Sequence, residues 1–303
     1  MSMQKPLASP SPAVPKVPAS ALARSIALMK PITWFAPAWA FLCGCIASGA
    51  VGWGATSIGR ILLGIVLAGP ILCGLSQVIN DYCDSEVDAI NEPGRLIPSG
   101  QVSSRQVFAT IAVLAVLALG IGLFLGAQVA LLTAIGMVLA VIYSAHPIRA
   151  KRNGWIGNGL VAIAYEGLPW LAGHLAFGEL TTPTLIVAAL YSLGAHGIMT
   201  INDFKSMDGD RVSGINTIPV MLGAWGAAWM AVLTMDIAQL FVLLMFAVSG
   251  RWLAFAIILA LLIAQIPLQG RFMLDPRGRA IFYNASGTTL FVWGMLAAAI
   301  GIR

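Results

Sequence analysis

Nine runs of about twenty apolar residues leave this chain few ways to fold. They cover 32–51, 60–82, 107–124, 127–144, 156–175, 184–202, 224–247, 252–270 and 283–301. Each matches the length an α-helix needs to cross roughly 30 Å of hydrocarbon. In lipid a backbone must satisfy its own hydrogen bonds, so long unalternating apolar runs read as helices. Of the 303 residues 59% are hydrophobic and 10% charged, against about 25% charged in a soluble domain. The expected fold is therefore an all-α polytopic membrane protein. Short loops between the runs argue for one helical domain, 26–303. It follows a tail, 1–25, rich in Pro, Ser and Ala and expected to be flexible. The first apolar run begins only after Lys30-Pro31 and is long enough to span, so no cleavable signal peptide is expected.

Charge placement orients the spans. With the N-terminus cytoplasmic, fourteen of the seventeen Lys and Arg fall on that side, and only Arg60, Arg251 and Arg303 fall opposite. That bias follows the positive-inside rule and puts the C-terminus across the membrane. Because the basic residues sit in membrane-flanking loops, their excess over acids does not point to nucleic acid. Cys43, Cys45, Cys73 and Cys83 lack zinc-ligand spacing and are expected to be packing residues.

At the end of the second run stands NDYCDSEVDAINEPGRLIPSG, residues 80–100. On a helix Asp81, Asp84 and Asp88 fall within about 60° of one another. Asn80 and Gln77 flank that face, and Glu86 points away. Carboxylates so crowded call for a cation, and oxygen-only ligands favour a hard divalent ion such as Mg²⁺. The pattern recurs 122 residues later, where NDFKSMDGD (202–210) matches NDYCDSEVD (80–88), and an Ile-Pro pair follows each copy. Asn202, Asp203 and Asp210 repeat Asn80, Asp81 and Asp88, whereas Ser206 stands in place of Asp84. Asp208 points elsewhere unless Gly209 ends the helix and redirects it. Copies on the second and sixth spans share orientation. A parallel repeat, with both acidic clusters at one cytoplasmic rim around a central cavity, is the expected arrangement.

Two divalent ions would nearly balance the carboxylates Asp81, Asp84, Asp88, Asp203 and Asp210 and leave room for a polyanion. Arg95, Arg149, Lys151, Lys205 and Arg211 lie close by in sequence to grip it. Carboxylate–Mg²⁺–diphosphate bridging with an Arg/Lys clamp fits this inventory, and a diphosphate so held is a good leaving group. A rim above apolar helices suits a polyprenyl diphosphate, whose allylic cation the apolar walls would shield from water. No Ser-His-Asp, Cys-His or zinc set competes with this reading.

The cluster N-D-x-x-D-x-x-x-D, the following NEPGRLIPSG and the YSAHPIRAKR after the fourth span resemble the UbiA superfamily of intramembrane prenyltransferases. Within it KPITWFAPAWAF (30–41) and NDFKSMDGDR (202–211) are similar to the chlorophyll and bacteriochlorophyll synthase branch. The resemblance implies esterification of a chlorophyllide or bacteriochlorophyllide propionate with geranylgeranyl or phytyl diphosphate, with Mg²⁺, in a photosynthetic inner membrane. It implies metal at Asp81, Asp84 and Asp88, with Asn80 in support, and a second metal or the diphosphate at Asp203 and Asp210. Arg95, Arg149 and Lys151 would grip phosphate oxygens. The propionate is already an anionic nucleophile, so no general base is required.

Tyr143 is a candidate for cation stabilisation through its ring, and His196, on the face of Asp203, for the central metal of a chlorin. Glu166 and Asp236 lie inside spans and are functional candidates by position. The competing readings are prenylation of a quinone precursor or haem, and a divalent-cation transporter. The transporter would need more charge within its spans than Glu166 and Asp236 supply.

Overall fold

The computed structural model describes residues 20–303, so the expected tail lies outside the described residues up to position 19. Its last residues are helical, because Ser20 caps helix α1 (Ala21–Leu28) by accepting from Ala23 N. After α1 the chain turns at Lys30 through a short 3₁₀ turn, Pro31–Thr33, into α2 (Phe35–Ala47). The two arms, Ala21–Thr33 and Phe35–Ala47, are bent by 63°, so the first expected span is the second arm of an elbow. Trp34 Nε1 donates to Met29 O at 2.9 Å and pins the bend.

The second span is longer than its apolar run. It comprises α3 (Ala55–Val66), a π-helical stretch Leu67–Cys73, and α4 (Gly74–Asn91). Pro70 lies in the π stretch, where its missing N–H and its ring break the α-helical ladder. α5 (Ser104–Leu125) begins at Ser103, which accepts from Gln106 N, and ends at Gly126. Gly126, at φ 147, turns the chain directly into α6 (Ala127–Ser144).

Asn153 caps α7 (Gly154–Ala162), which passes through a π turn, Ile163–Gly167, into α8 (Leu168–Leu175). α9 (Thr182–Asp203), capped by Thr181, continues through a 3₁₀ turn into α10 (Met207–Val212). α11 (Ile218–Val248), α12 (Trp252–Leu274), α13 (Ala280–Ala285) and α14 (Gly287–Ile302) complete the bundle. Among the described residues seven helical segments are long and apolar enough to cross a membrane, and the bent pair makes up to eight. The fifth expected run, 156–175, is helical but is not among them. Its Asn158, Glu166 and His174 dilute the apolar run.

Two cores form, and α2 belongs to both. Ala40, Cys43 and Ala47 join the core of α9, α11, α12 and α14. Phe41 and Cys45 join that of α3 to α6 and α8. Cys43, Cys45 and Cys73 are free and buried, as packing residues should be. A Cβ at Gly44 would strike the carbonyl oxygen of Trp170, and one at Gly173 that of Phe41. The α2–α8 contact is therefore a close backbone approach of the small-residue type common between membrane helices.

Candidate active site

α4 carries the first acidic face out of the bundle. Asp81 and Asp88 are buried and Glu86 is exposed, as the helical spacing requires. The charge that makes burial tolerable comes from the protein itself. Lys30 Nζ donates to Asp81 Oδ1 at 2.6 Å. Arg95 donates to Asp88 Oδ2 at 2.8 Å and to Glu92 Oε2 at 2.6 Å, and approaches Asp81 Oδ1 at 3.6 Å. Arg149 donates to Asp84 Oδ1 at 2.8 Å, and Lys151 pairs with Asp84 Oδ2. Asn80 bridges the same group, donating to Asp84 Oδ2 at 3.0 Å and accepting from Lys151 at 3.1 Å. Burial pushes the Lys151 ammonium below its ordinary range, opposed by the Asp84 carboxylate beside it.

The second face differs in kind. Asp203 Oδ2 accepts from Asn158 Nδ2 at 2.9 Å. Asp210 Oδ2 accepts from Ser206 Oγ at 2.6 Å and more distantly from Thr217 Oγ1 at 3.4 Å. The hydroxyl that replaces the missing aspartate thus orients the carboxylate one turn on. Among the described residues no Lys or Arg comes within ion-pair distance of Asp203 or Asp210.

The α6–α7 loop brings the two faces to one end of the bundle. Arg149 and Lys151 reach Asp84 on one side. On the other, Arg152 and Gly154 exchange backbone hydrogen bonds of 2.9 and 2.8 Å with Asn216, and Asn158 follows one turn into α7. Tyr143, at the end of α6, lies within electrostatic reach of Asp84, Asp203 and Asp210.

Other expected residues fall outside this convergence. Asp208 is exposed and pairs with Arg277, so Gly209 does not turn it inward. Lys205 and Arg211 are exposed, and among the described residues neither comes within ion-pair distance of a carboxylate. Asn202 accepts from Asn284 at 2.6 Å, a tie between α9 and α13. Gln77 donates to Tyr165 OH at 2.9 Å beneath the site. His196 stacks on Trp155 and bonds its backbone oxygen at 3.2 Å. Lys30, Asn158 and Thr217 also bond the site carboxylates, and helical spacing within the two motifs does not reach them.

The donor set suits a hard divalent ion. Every candidate ligand is an oxygen, and among the described residues Asp203 and Asp210 have no Lys or Arg within ion-pair distance. Among the described residues no three His, Cys, Asp or Glu side chains form a ready-made cage. Mg²⁺ is commonly held in that way, by one or two carboxylates and the oxygens of a bound phosphate.

The model of the UbiA prenyltransferase family matches residues 27–300. The chain is 58% identical, over all its length and 98% of the relative, to the bacteriochlorophyll synthase 34 kDa chain of Chloroflexus aurantiacus. It is 39% identical, over 90% of its length and 74% of the relative, to the chloroplastic chlorophyll synthase of Avena sativa. In fold it is similar to a UbiA homolog from Archaeoglobus fulgidus solved with GPP and Mg²⁺. That match has a TM-score of 0.68 at 17% identity, over 91% of this chain and 99% of that one. On its motifs, its fold and these full-length matches, the chain belongs to the UbiA prenyltransferase family.

Proposed function

We propose that this protein esterifies the propionate of chlorophyllide or bacteriochlorophyllide with geranylgeranyl or phytyl diphosphate and releases diphosphate. The observation that carries the pigment assignment is the 58% identity, end to end, with a bacteriochlorophyll synthase chain. The chemistry is supported by the convergence of five aspartates with Arg95, Arg149 and Lys151 at one end of the helices.

Asp81, Asp84, Asp88, Asp203 and Asp210 would hold Mg²⁺. When bound, the ion neutralises charge that develops on the departing diphosphate. Arg95, Arg149 and Lys151 donate to phosphate oxygens, which fixes the leaving group in place and stabilises its negative charge. Asn80 keeps Lys151 and Asp84 in register, and Asn158 and Ser206 do the same for Asp203 and Asp210. The allylic C–O bond breaks with its electron pair leaving on diphosphate, and a propionate oxygen forms the new C–O bond. No proton changes hands in this step, so it requires no general base. Tyr143, within electrostatic reach of both clusters, would offer its ring to the allylic cation.

Fourteen of seventeen basic residues on one side support a cytoplasmic N-terminus and a site opening to that face of a photosynthetic inner membrane. The test is reconstitution with geranylgeranyl diphosphate and Mg²⁺, offered bacteriochlorophyllide, chlorophyllide or 4-hydroxybenzoate. An esterified pigment is expected, and product from the phenol alone would reject the assignment.

A further inference from the structure

We infer that Lys30 is a diphosphate-binding residue of this site, the counterpart of Arg149, and that its ion pair with Asp81 is the arrangement it leaves when substrate binds. The inference rests on the proposed reading that a prenyl diphosphate occupies the site.

Among the described residues only two non-glycine residues adopt the left-handed backbone region, Lys30 at φ 47 and Arg149 at φ 42. Both are basic. Each directly precedes a three-residue 3₁₀ turn, Pro31–Thr33 in one case and Ala150–Arg152 in the other. Each sends its side chain to a carboxylate of α4, Asp81 or Asp84, one helical turn apart. A left-handed residue is unfavourable for any side chain with a Cβ, and a turn alone would be served by glycine. Such backbone outliers persist where surroundings over-determine them, and they concentrate at functional sites. At Lys30 the surroundings are the Thr33 hydroxyl, which donates to Lys30 O at 2.8 Å, and the Trp34 indole bonded to Met29 O.

Lys30 is also the cation the acidic face needs least for its own balance. Arg95 already stands 3.6 Å from the same Asp81 oxygen while bonded to Asp88 and Glu92. Of the three N–H donors on the Lys30 ammonium, the bond to Asp81 uses one, and the side chain is one-third exposed where that of Lys151 is one-tenth exposed. Two donors on a flexible stem, at the edge of a site that takes a polyanion, suit phosphate oxygens. An ammonium released from Asp81 would remain within reach of an anion bound beside that carboxylate.

The test measures binding, not turnover. Radiolabelled geranylgeranyl diphosphate is titrated, with Mg²⁺, onto wild type, Lys30→Gly, Lys30→Ala and Lys30→Arg in lipid nanodiscs, and thermal stability is recorded for each. Lys30→Gly relieves the backbone while removing the charge. The Gly and Ala variants are expected to bind about ten- to a hundredfold more weakly, and Lys30→Arg to stay within a fewfold of wild type. The KM for bacteriochlorophyllide should move far less than that for the prenyl donor. Wild-type affinity in a folded Lys30→Gly protein would make the residue a tie between α1 and α4 and overturn the inference alone. Failure of the wild type to bind the diphosphate would instead overturn the functional reading, and this inference with it.

Discussion

Asp81 and Asp203 occupy the same position in the two copies of the repeat, yet one meets an ammonium and the other an amide. The amide of Asn158 therefore does a different task. It cannot neutralise Asp203 and instead aims it, while the Thr200 hydroxyl at 3.3 Å steadies the amide. Replacing Asn158 with Leu removes the aiming without touching the carboxylate. Partners of this kind typically account for about ten- to a hundredfold in metal affinity or activity. Asn158→Leu should therefore show a loss of that size in kcat/KM and a raised Mg²⁺ requirement, both measurable in a reconstituted assay. Asp203→Ala and Asp81→Ala should abolish turnover with elution and circular dichroism unchanged in detergent, and full activity in Asp203→Ala would sink the two-faced site. Asp208→Ala, whose carboxylate faces Arg277 in solvent, should leave turnover at the wild-type level.

Lys151 should set the alkaline limit of diphosphate binding. An ammonium holds phosphate only while charged, and burial makes this one lose its proton below the 10.5 of a free lysine. Affinity for the prenyl diphosphate should accordingly fall with rising pH before an exposed lysine would titrate. Lys151→Arg should move that limb upward, because a guanidinium stays charged. An unchanged pH profile in Lys151→Arg would show that another group sets the limit.

Among the elements, helices were legible and their interruptions were not. Apolar length marks a span whatever its neighbours do, so the runs fall on helices to within a few residues at most ends. Pro31 stands at the elbow and Pro70 in the π stretch, but a proline marks a possible break without saying whether the chain bends, kinks or slips into a π turn. The acidic faces were legible because they repeat within one chain. Lys30 and Asn158 were not, because each meets its aspartate across 51 and 45 residues of sequence. A polar residue inside an apolar run was the available signal for Asn158. The packing of α2 on α8 has a direct test. Gly44→Ala would drive a methyl group into the Trp170 carbonyl, an overpacking that typically costs about 1–3 kcal/mol. A lower melting temperature in detergent, with no change in the KM for either substrate in the surviving fraction, is the expected result.

At the scale of the whole molecule, the loops 145–153 and 213–217 share one end of the bundle with both acidic faces, and the turn at 249–251 lies at the far end of α11. In a Cys83→Ser background, a cysteine at Ser213 should react with an impermeant maleimide only from the cytoplasmic face, and one at Ser249 only from the other. Labelling of both from one side would reverse the orientation inferred from charge. The wider lesson lies in where the cations come from. Arg149 and Lys151 belong to the connection between the two repeats, and that connection also delivers Asn158 to the later one. The first acidic face therefore draws Arg149 and Lys151 from beyond its own repeat, through a stretch that is also hydrogen-bonded to the loop after the second face. Severing the chain within 145–153 and co-expressing the pieces would leave that bridge as a seam that must heal before any chemistry begins.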